Sequence, residues 1–154
     1  MTALGISHTL LIAAQPFSAR LSAQRVAAAI ARGVHEAGLP APDLCPFDGH
    51  ERTAGGRKAS DASAILAGCD FDDRMKAARA VVIAVARLDE RTLLGSLAFE
   101  IATRARQSGV PAYAVTAADA IARFDARILD LQEVVQARDE SSLQAAGRRL
   151  AAIA

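Results

Sequence analysis

The sequence predicts an α/β fold, a three-layer sandwich around a mainly parallel sheet. Three observations carry that reading. Short apolar runs of strand length alternate with helix-spaced segments along the chain. The runs are apolar throughout, as strands covered on both faces must be. The helical segments are rich in alanine, and small side chains let helices pack close to a sheet.

The elements follow in order. The run TLLIAA at 9–14 is the size of a buried strand, and Pro16 closes it. From Ser22, apolar residues recur at Val26, Ile30 and Val34, with Arg25, Arg32 and Glu36 opposite. That spacing is helical, Ser22 can cap it, and Gly38 followed by Pro40 stops it. Residues 44–47 predict a second strand. Residues 48–58 contain Gly49, Gly55 and Gly56 without periodicity, and so read as a loop.

Residues 60–68 predict a short helix with Ala62, Ile65 and Leu66 inward, and another begins at 70–73 and runs to 79. AVVIAVA at 80–86 is the clearest buried strand, β-branched in its middle. Leu93, Leu94, Leu97, Ile101, Ala102 and Ala105 mark a helix that Gly109 ends. Residues 111–115 predict a strand, 117–124 a short helix, and 128–131 a last strand. Ser141 can cap a final helix carrying Leu143, Ala146, Leu150 and Ile153. The sheet is therefore Rossmann-like, with crossovers covering both faces.

Composition bounds the function. At 154 residues the chain suggests one domain, long enough to hide roughly 70% of its unfolded surface. A hydrophobic fraction of 52% and a net charge of +1 exclude disorder. A pI near 7.9 argues against a strongly basic nucleic-acid domain. No apolar run approaches the roughly 20 residues of a membrane span. The first residues carry no positive charge before their apolar segment, so they do not read as a signal peptide. Cys45 and Cys69 make no disulfide framework; they read as buried small apolar groups rather than a redox pair, and a reducing cytoplasm is expected. Only Lys58 and Lys76 are lysines, the other basic residues being arginine. Such a chain is a poor candidate for chemistry that needs a mobile ammonium.

In a parallel sheet, ligands bind outside the carboxyl ends of the strands. Four segments leave those ends: 15–20, 48–53, 87–92, and the one after Val115 with Thr116 and Asp119. They carry Gln15, Ser18, Arg20, Asp48, His50, Glu51, Arg52, Arg87, Asp89, Arg91, Thr92 and Ser96. Loops are polar because they face water, so the signal lies in the group rather than in any one residue. Asp48, Glu51 and Asp89 are the candidate catalytic carboxylates; the others are ligand-binding candidates. His50 between Asp48 and Glu51 has metal-ligand chemistry, but three polar loop residues are more often solvated, and no metal site is expected. No G-x-G-x-x-G follows a strand, so a dinucleotide site has no support.

These loops also carry a resemblance. IAAQPFSARLSA at 12–23 is similar to the opening I-A-P-D-S-F-K-G-S-L-S-A of the bacterial glycerate kinases of the glycerate-2-kinase type. A V-A-x-A-I-x-x-G helix follows in both, here at 26–33. FDGHERT at 47–53 resembles A-D-G-G-E-G-T. VIAVARLDERTLLGS at 82–96 resembles V-I-T-G-E-G-R-L-D-x-Q-T-L-x-G-K, and Ile101, Ala102, Ala105 and the G-V-P at 109–111 sit at matching places.

The resemblance implies a domain built from the two ends of a kinase chain more than twice as long. The family's inserted second domain is then replaced by a connector over 55–79, and residues 1–154 form a single glycerate-kinase-like domain. It also implies a changed site. The family's Asp falls on Gln15 and its two lysines on Ser18 and Ser96. Neighbouring positions become Ala19 and Arg20, two glycines become His50 and Arg52, and the family's Gln becomes Arg91, while the G-E-G is lost. Asp48, Gly49, Glu51, Thr53, Arg87, Leu88, Asp89, Thr92 and Gly95 remain. Phosphoryl transfer is mostly positioning plus neutralisation of phosphate charge, and the lysines that supply it are absent.

Three functions stand. The first is a binding or assembly module without kinase activity. It would form a homodimer or a hetero-complex through the surface that the second domain covers in the family. The second is an enzyme of altered chemistry on a small anionic hydroxy acid or phosphate, with arginines clamping the acid. The third is residual glycerate phosphorylation with a partner chain; ATP and Mg2+ are expected only there, and no cofactor otherwise. No nucleic-acid or membrane partner is expected.

Overall fold

The computed structural model describes residues 9–47 and 59–154. Five strands form one sheet, β1 (Leu10–Ala14), β2 (Asp43–Pro46), β3 (Ala80–Leu88), β4 (Ala112–Asp119) and β5 (Val134–Gln136). Their order is β2-β1-β3-β4-β5, and every pairing is parallel. This is a doubly wound α/β sheet, in which the strand order reverses between β1 and β3.

Among the described residues six α-helices accompany it: α1 (Ala23–Glu36), α2 (Ala59–Ala67), α3 (Phe71–Ala77), α4 (Leu97–Ser108), α5 (Arg123–Leu129) and α6 (Glu140–Ile153). A 3-10 turn, Glu90–Leu93, links β3 to α4. Side chains alternate across a strand, so each strand feeds two cores. Leu10, Ile12, Ala14, Ala80, Val82, Ala84, Tyr113 and Val115 face α1 and α6. Leu11, Ala13, Val81, Ile83, Val85, Ala112 and Ala114 face the other helices. On that side Ala62 and Leu66 of α2 and Phe71 and Met75 of α3 are buried. The described part of the expected connector is thus two helices packed into the core between β2 and β3.

The first helix forms as its spacing requires. Ser22 caps α1 by accepting from the Arg25 amide, and Gly38 follows the helix at φ 93°. Gly33 of α1 and Gly147 of α6 are both buried where the two helices meet. A Cβ on Gly33 would overlap the Gln144 carbonyl, and one on Gly147 the Ile30 carbonyl. Glycine is required there for close approach.

The second half departs from expectation in four places. The helix expected from Leu93 begins at Leu97, because Gly95 at φ 86° breaks the chain and Ser96 caps α4. Residues 117–119, expected to be helical, extend β4. Ala118 and Asp119 pair with Arg87 and Leu88, and the partner strand overrides the alanines' helix preference. The strand expected at 128–131 is the end of α5, which Asp130 closes at φ 53°. Its short apolar run does not separate the two periods. The last strand lies instead at β5, three residues on a half-buried edge. Finally, Asp139 rather than Ser141 caps α6, in a reciprocal box with Ser142.

Among the described residues no helix is long and apolar enough to cross a membrane.

Candidate functional site

The exits of β1 and β3 lie side by side where the strand order reverses. Gln15 follows β1, and its amide donates to the Ala84 carbonyl of β3 at 2.9 Å. Between them opens a cleft of about 240 Å³, lined by Gln15 and Pro16, by Val85, Ala86 and Arg87, and by Thr92, Ser96 and Ala98. Four sequence candidates therefore converge: Gln15, Arg87, Thr92 and Ser96. Larger depressions lie elsewhere. One of about 530 Å³ sits at the amino ends of the strands, where Asp43 is locked by Arg74. Another of about 480 Å³ lies between α1 and the β2 edge and is mostly apolar in its lining. Only the smallest of the three gathers polar groups from the exits of two strands.

Local geometry explains much of this polarity. Asp89 caps the 3-10 turn. One carboxyl oxygen accepts from the Arg91 amide at 2.9 Å, and the other from Arg87 Nε at 2.8 Å. The Thr92 hydroxyl oxygen accepts from the Asp89 amide at 3.1 Å, completing a capping box. Thr92 is buried. Ser96 Oγ donates to the Thr92 carbonyl at 2.7 Å and accepts from the Phe99 amide at 3.1 Å, capping α4. The Arg87 guanidinium beside Asp89, together with the Arg91 amide, holds the Asp89 carboxyl below the ordinary carboxylate range. A half-exposed Arg87 and Gln15 are the groups left to meet a ligand.

The remaining candidates do not join the cleft. Ser18 is exposed, and its hydroxyl accepts from the Arg20 amide at 3.2 Å within a tight turn bridged to Leu21. Arg20 is exposed and offers its carbonyl to Arg25. Arg91 is exposed on the 3-10 turn. Asp48, His50, Glu51 and Arg52 lie outside the described residues. Thr116 and Asp119 belong to β4 itself; Thr116 is fully buried and donates to the Ala118 carbonyl at 3.3 Å. Sequence reasoning missed the apolar floor of Pro16, Val85, Ala86 and Ala98, which only the register of β1 against β3 reveals.

No group of three metal-ligating side chains occurs among the described residues. Magnesium takes carboxylate and phosphate oxygens in octahedral geometry. No carboxylate lines the cleft among the described residues, and the nearby Asp89 has both oxygens engaged by N–H donors. The described cleft does not fit a magnesium ion.

The model of the glycerate kinase family matches residues 48–151. The chain belongs to the glycerate kinase family. In this glycerate-kinase-like chain the match takes in β3, the 3-10 turn and α4, and so the Arg87–Asp89–Thr92–Ser96 network. It begins beyond β1, and the likeness of the first loop rests on its own residues. No curated protein matches the chain. A solved structure to which it is similar is the X-ray structure of an oxidoreductase from Corynebacterium diphtheriae. The TM-score is 0.48 at 13% identity, over 96% of this chain and 97% of the other.

Proposed function

We propose that this glycerate-kinase-like domain acts as a binding or assembly module without kinase activity. One observation carries the reading. The motif residues it keeps at the β3 exit are those its own fold employs. Arg87 and Asp89 form an ion pair, and Asp89 and Thr92 cap the turn. The positions where the family resemblance places lysines hold Ser18 and Ser96, both bonded to backbone amides. Retention of Arg87, Asp89 and Thr92 follows from folding, and the charge that phosphoryl transfer neutralises has no lysine to meet it.

The assembly half of the reading is supported by apolar exposure beside the cleft. Leu94 is 73% exposed between Thr92 and Ser96, and Phe124 on α5 is 74% exposed. Helix α5 packs on the 3-10 turn that leads into Leu94. Large apolar side chains held out in water favour a partner where they share a patch.

The deciding experiment is an ATP-dependent assay with glycerate and magnesium, run on the full chain alone. No turnover is the expected result; turnover abolished by Asp89→Asn or Arg87→Ala overturns the proposal. A second reading, chemistry on a small anionic hydroxy acid, draws support from the Arg87 guanidinium, 60% exposed beside Gln15 at a cleft of ligand-fragment size. Thermal shift with sugar acids and phosphates tests it. Stabilisation that persists unaltered in Arg87→Ala places any such ligand elsewhere.

A further inference from the structure

Two thiols outside the cleft meet across two elements. Cys45, at the carboxyl end of the edge strand β2, is 4% exposed. Cys69 is half-buried in the turn between α2 and α3. Their Sγ atoms are 3.5 Å apart, and both cysteines are free. The contact is imposed by a frame. Arg74 of α3 clamps the Asp43 carboxylate through Nε at 2.9 Å and Nη2 at 2.6 Å. Its Nη2 also donates to the Leu44 carbonyl at 2.9 Å, and its Nη1 to the Cys69 carbonyl at 3.3 Å. One guanidinium thus ties β2 to the turn, and Nη1 stands 3.6 Å from Cys45 Sγ.

We propose that Cys45 and Cys69 are a reversible dithiol–disulfide pair oxidised by a hydroperoxide. A covalent bond needs the sulfurs to close by about 1.5 Å, within reach of a rotamer change and a small turn movement. Cys69 is the more accessible thiol and reacts first, as accessible thiolates do. Its thiolate attacks one peroxide oxygen, the O–O bond breaks, and Cys69 becomes a sulfenic acid. The departing hydroxide takes up the proton released by Cys69 and leaves as water. Cys45 Sγ then attacks the Cys69 sulfur and the S–O bond breaks. The hydroxyl leaves as a second water with the Cys45 proton. Two thiols and one hydrogen peroxide give one disulfide and two waters, two electrons passing from sulfur to peroxide. Burial, with the neighbouring Cys69, pushes the Cys45 thiol up to about 12, so it keeps its proton until the second step. An external dithiol reverses the bond by two exchanges and is itself oxidised.

The bond would join β2 to the α2–α3 turn across a separation of 24 residues, restricting the unfolded chain. The test uses the full chain treated with stoichiometric hydrogen peroxide, thiol-blocked, and mapped by peptide mass spectrometry without reduction. The expected product lacks free thiols and two hydrogens, has the Cys45 and Cys69 peptides linked, and reverts with dithiothreitol. Its Tm rises by about 5 °C or more. In Cys45→Ser, Cys69 stops at a sulfenic acid that dimedone traps; in Cys69→Ser, Cys45 stays a thiol under the same dose. The wild-type map decides even where a variant fails to fold. Sulfenic acid at Cys69 without an internal link, disulfide dimers alone, or two unreacted thiols would each overturn the proposal.

Discussion

At Asp89, one carboxylate serves a turn and an ion pair together. Its oxygens take the Arg91 amide and Arg87 Nε, which lowers its pKa below the ordinary 3.8. A carboxyl whose folded pKa is depressed stabilises the fold above its unfolded pKa. That contribution is lost as pH falls through the folded value. Asp89→Asn is therefore expected to lower Tm at neutral pH, where the carboxylate is charged. The gap to wild type should narrow steadily below about pH 3.8. Calorimetry across pH checks it; a gap that stays constant to pH 2 would show that the charge has no part. This residue was legible as a loop carboxylate in the sequence, but its role was not. A capping box depends on the turn's backbone angles, and the R-L-D-E-R-T string does not print them.

Between elements, the α1–α6 contact depends on two glycines. Elsewhere in a helix, Gly→Ala gains roughly 0.5–1 kcal/mol from reduced backbone freedom. At Gly33 and Gly147 the sign should reverse, because the new Cβ meets a backbone carbonyl that cannot rotate aside. Each alanine variant is expected to lose roughly 1–3 kcal/mol. Urea unfolding should give a lower midpoint at unchanged slope; an unaltered or higher midpoint would refute the close packing. The same level explains the misread segments. Alanine at 117–118 is compatible with either state, and β4 continues because β3 offers a neighbour through Leu88. The short run at 128–131 turns out to be the end of α5 and its cap, because Leu129 reaches the core as the helix's last residue.

For the whole molecule, the proposed assembly role makes the exposed Leu94 and Phe124 the side chains to test. Association through them predicts that sedimentation finds a dimer or larger species. Leu94→Glu with Phe124→Glu should then return a monomer of nearly unchanged Tm, since exposed positions alter stability by within about 0.5 kcal/mol each. A wild-type monomer at every concentration removes the homodimer. Neither Leu94 nor Phe124 lines the cleft, so Arg87→Ala is expected to leave the association intact.

The sequence by itself determined the class of fold. Fully apolar strands require cover on both faces, and helix-spaced segments between them supply it, so a parallel α/β sheet is the solution that apolar burial allows. It also pointed to the carboxyl edge and, through four motifs, to the glycerate kinase family. Tertiary structure alone decided which candidates meet. Gln15 and Arg87 are far apart in the chain and come together because β1 and β3 pair in register at the switch point. Cys45 and Cys69 touch because Arg74 bridges β2 to a turn. Both are long-range contacts fixed by the packing of whole elements, and residue spacing holds no record of them.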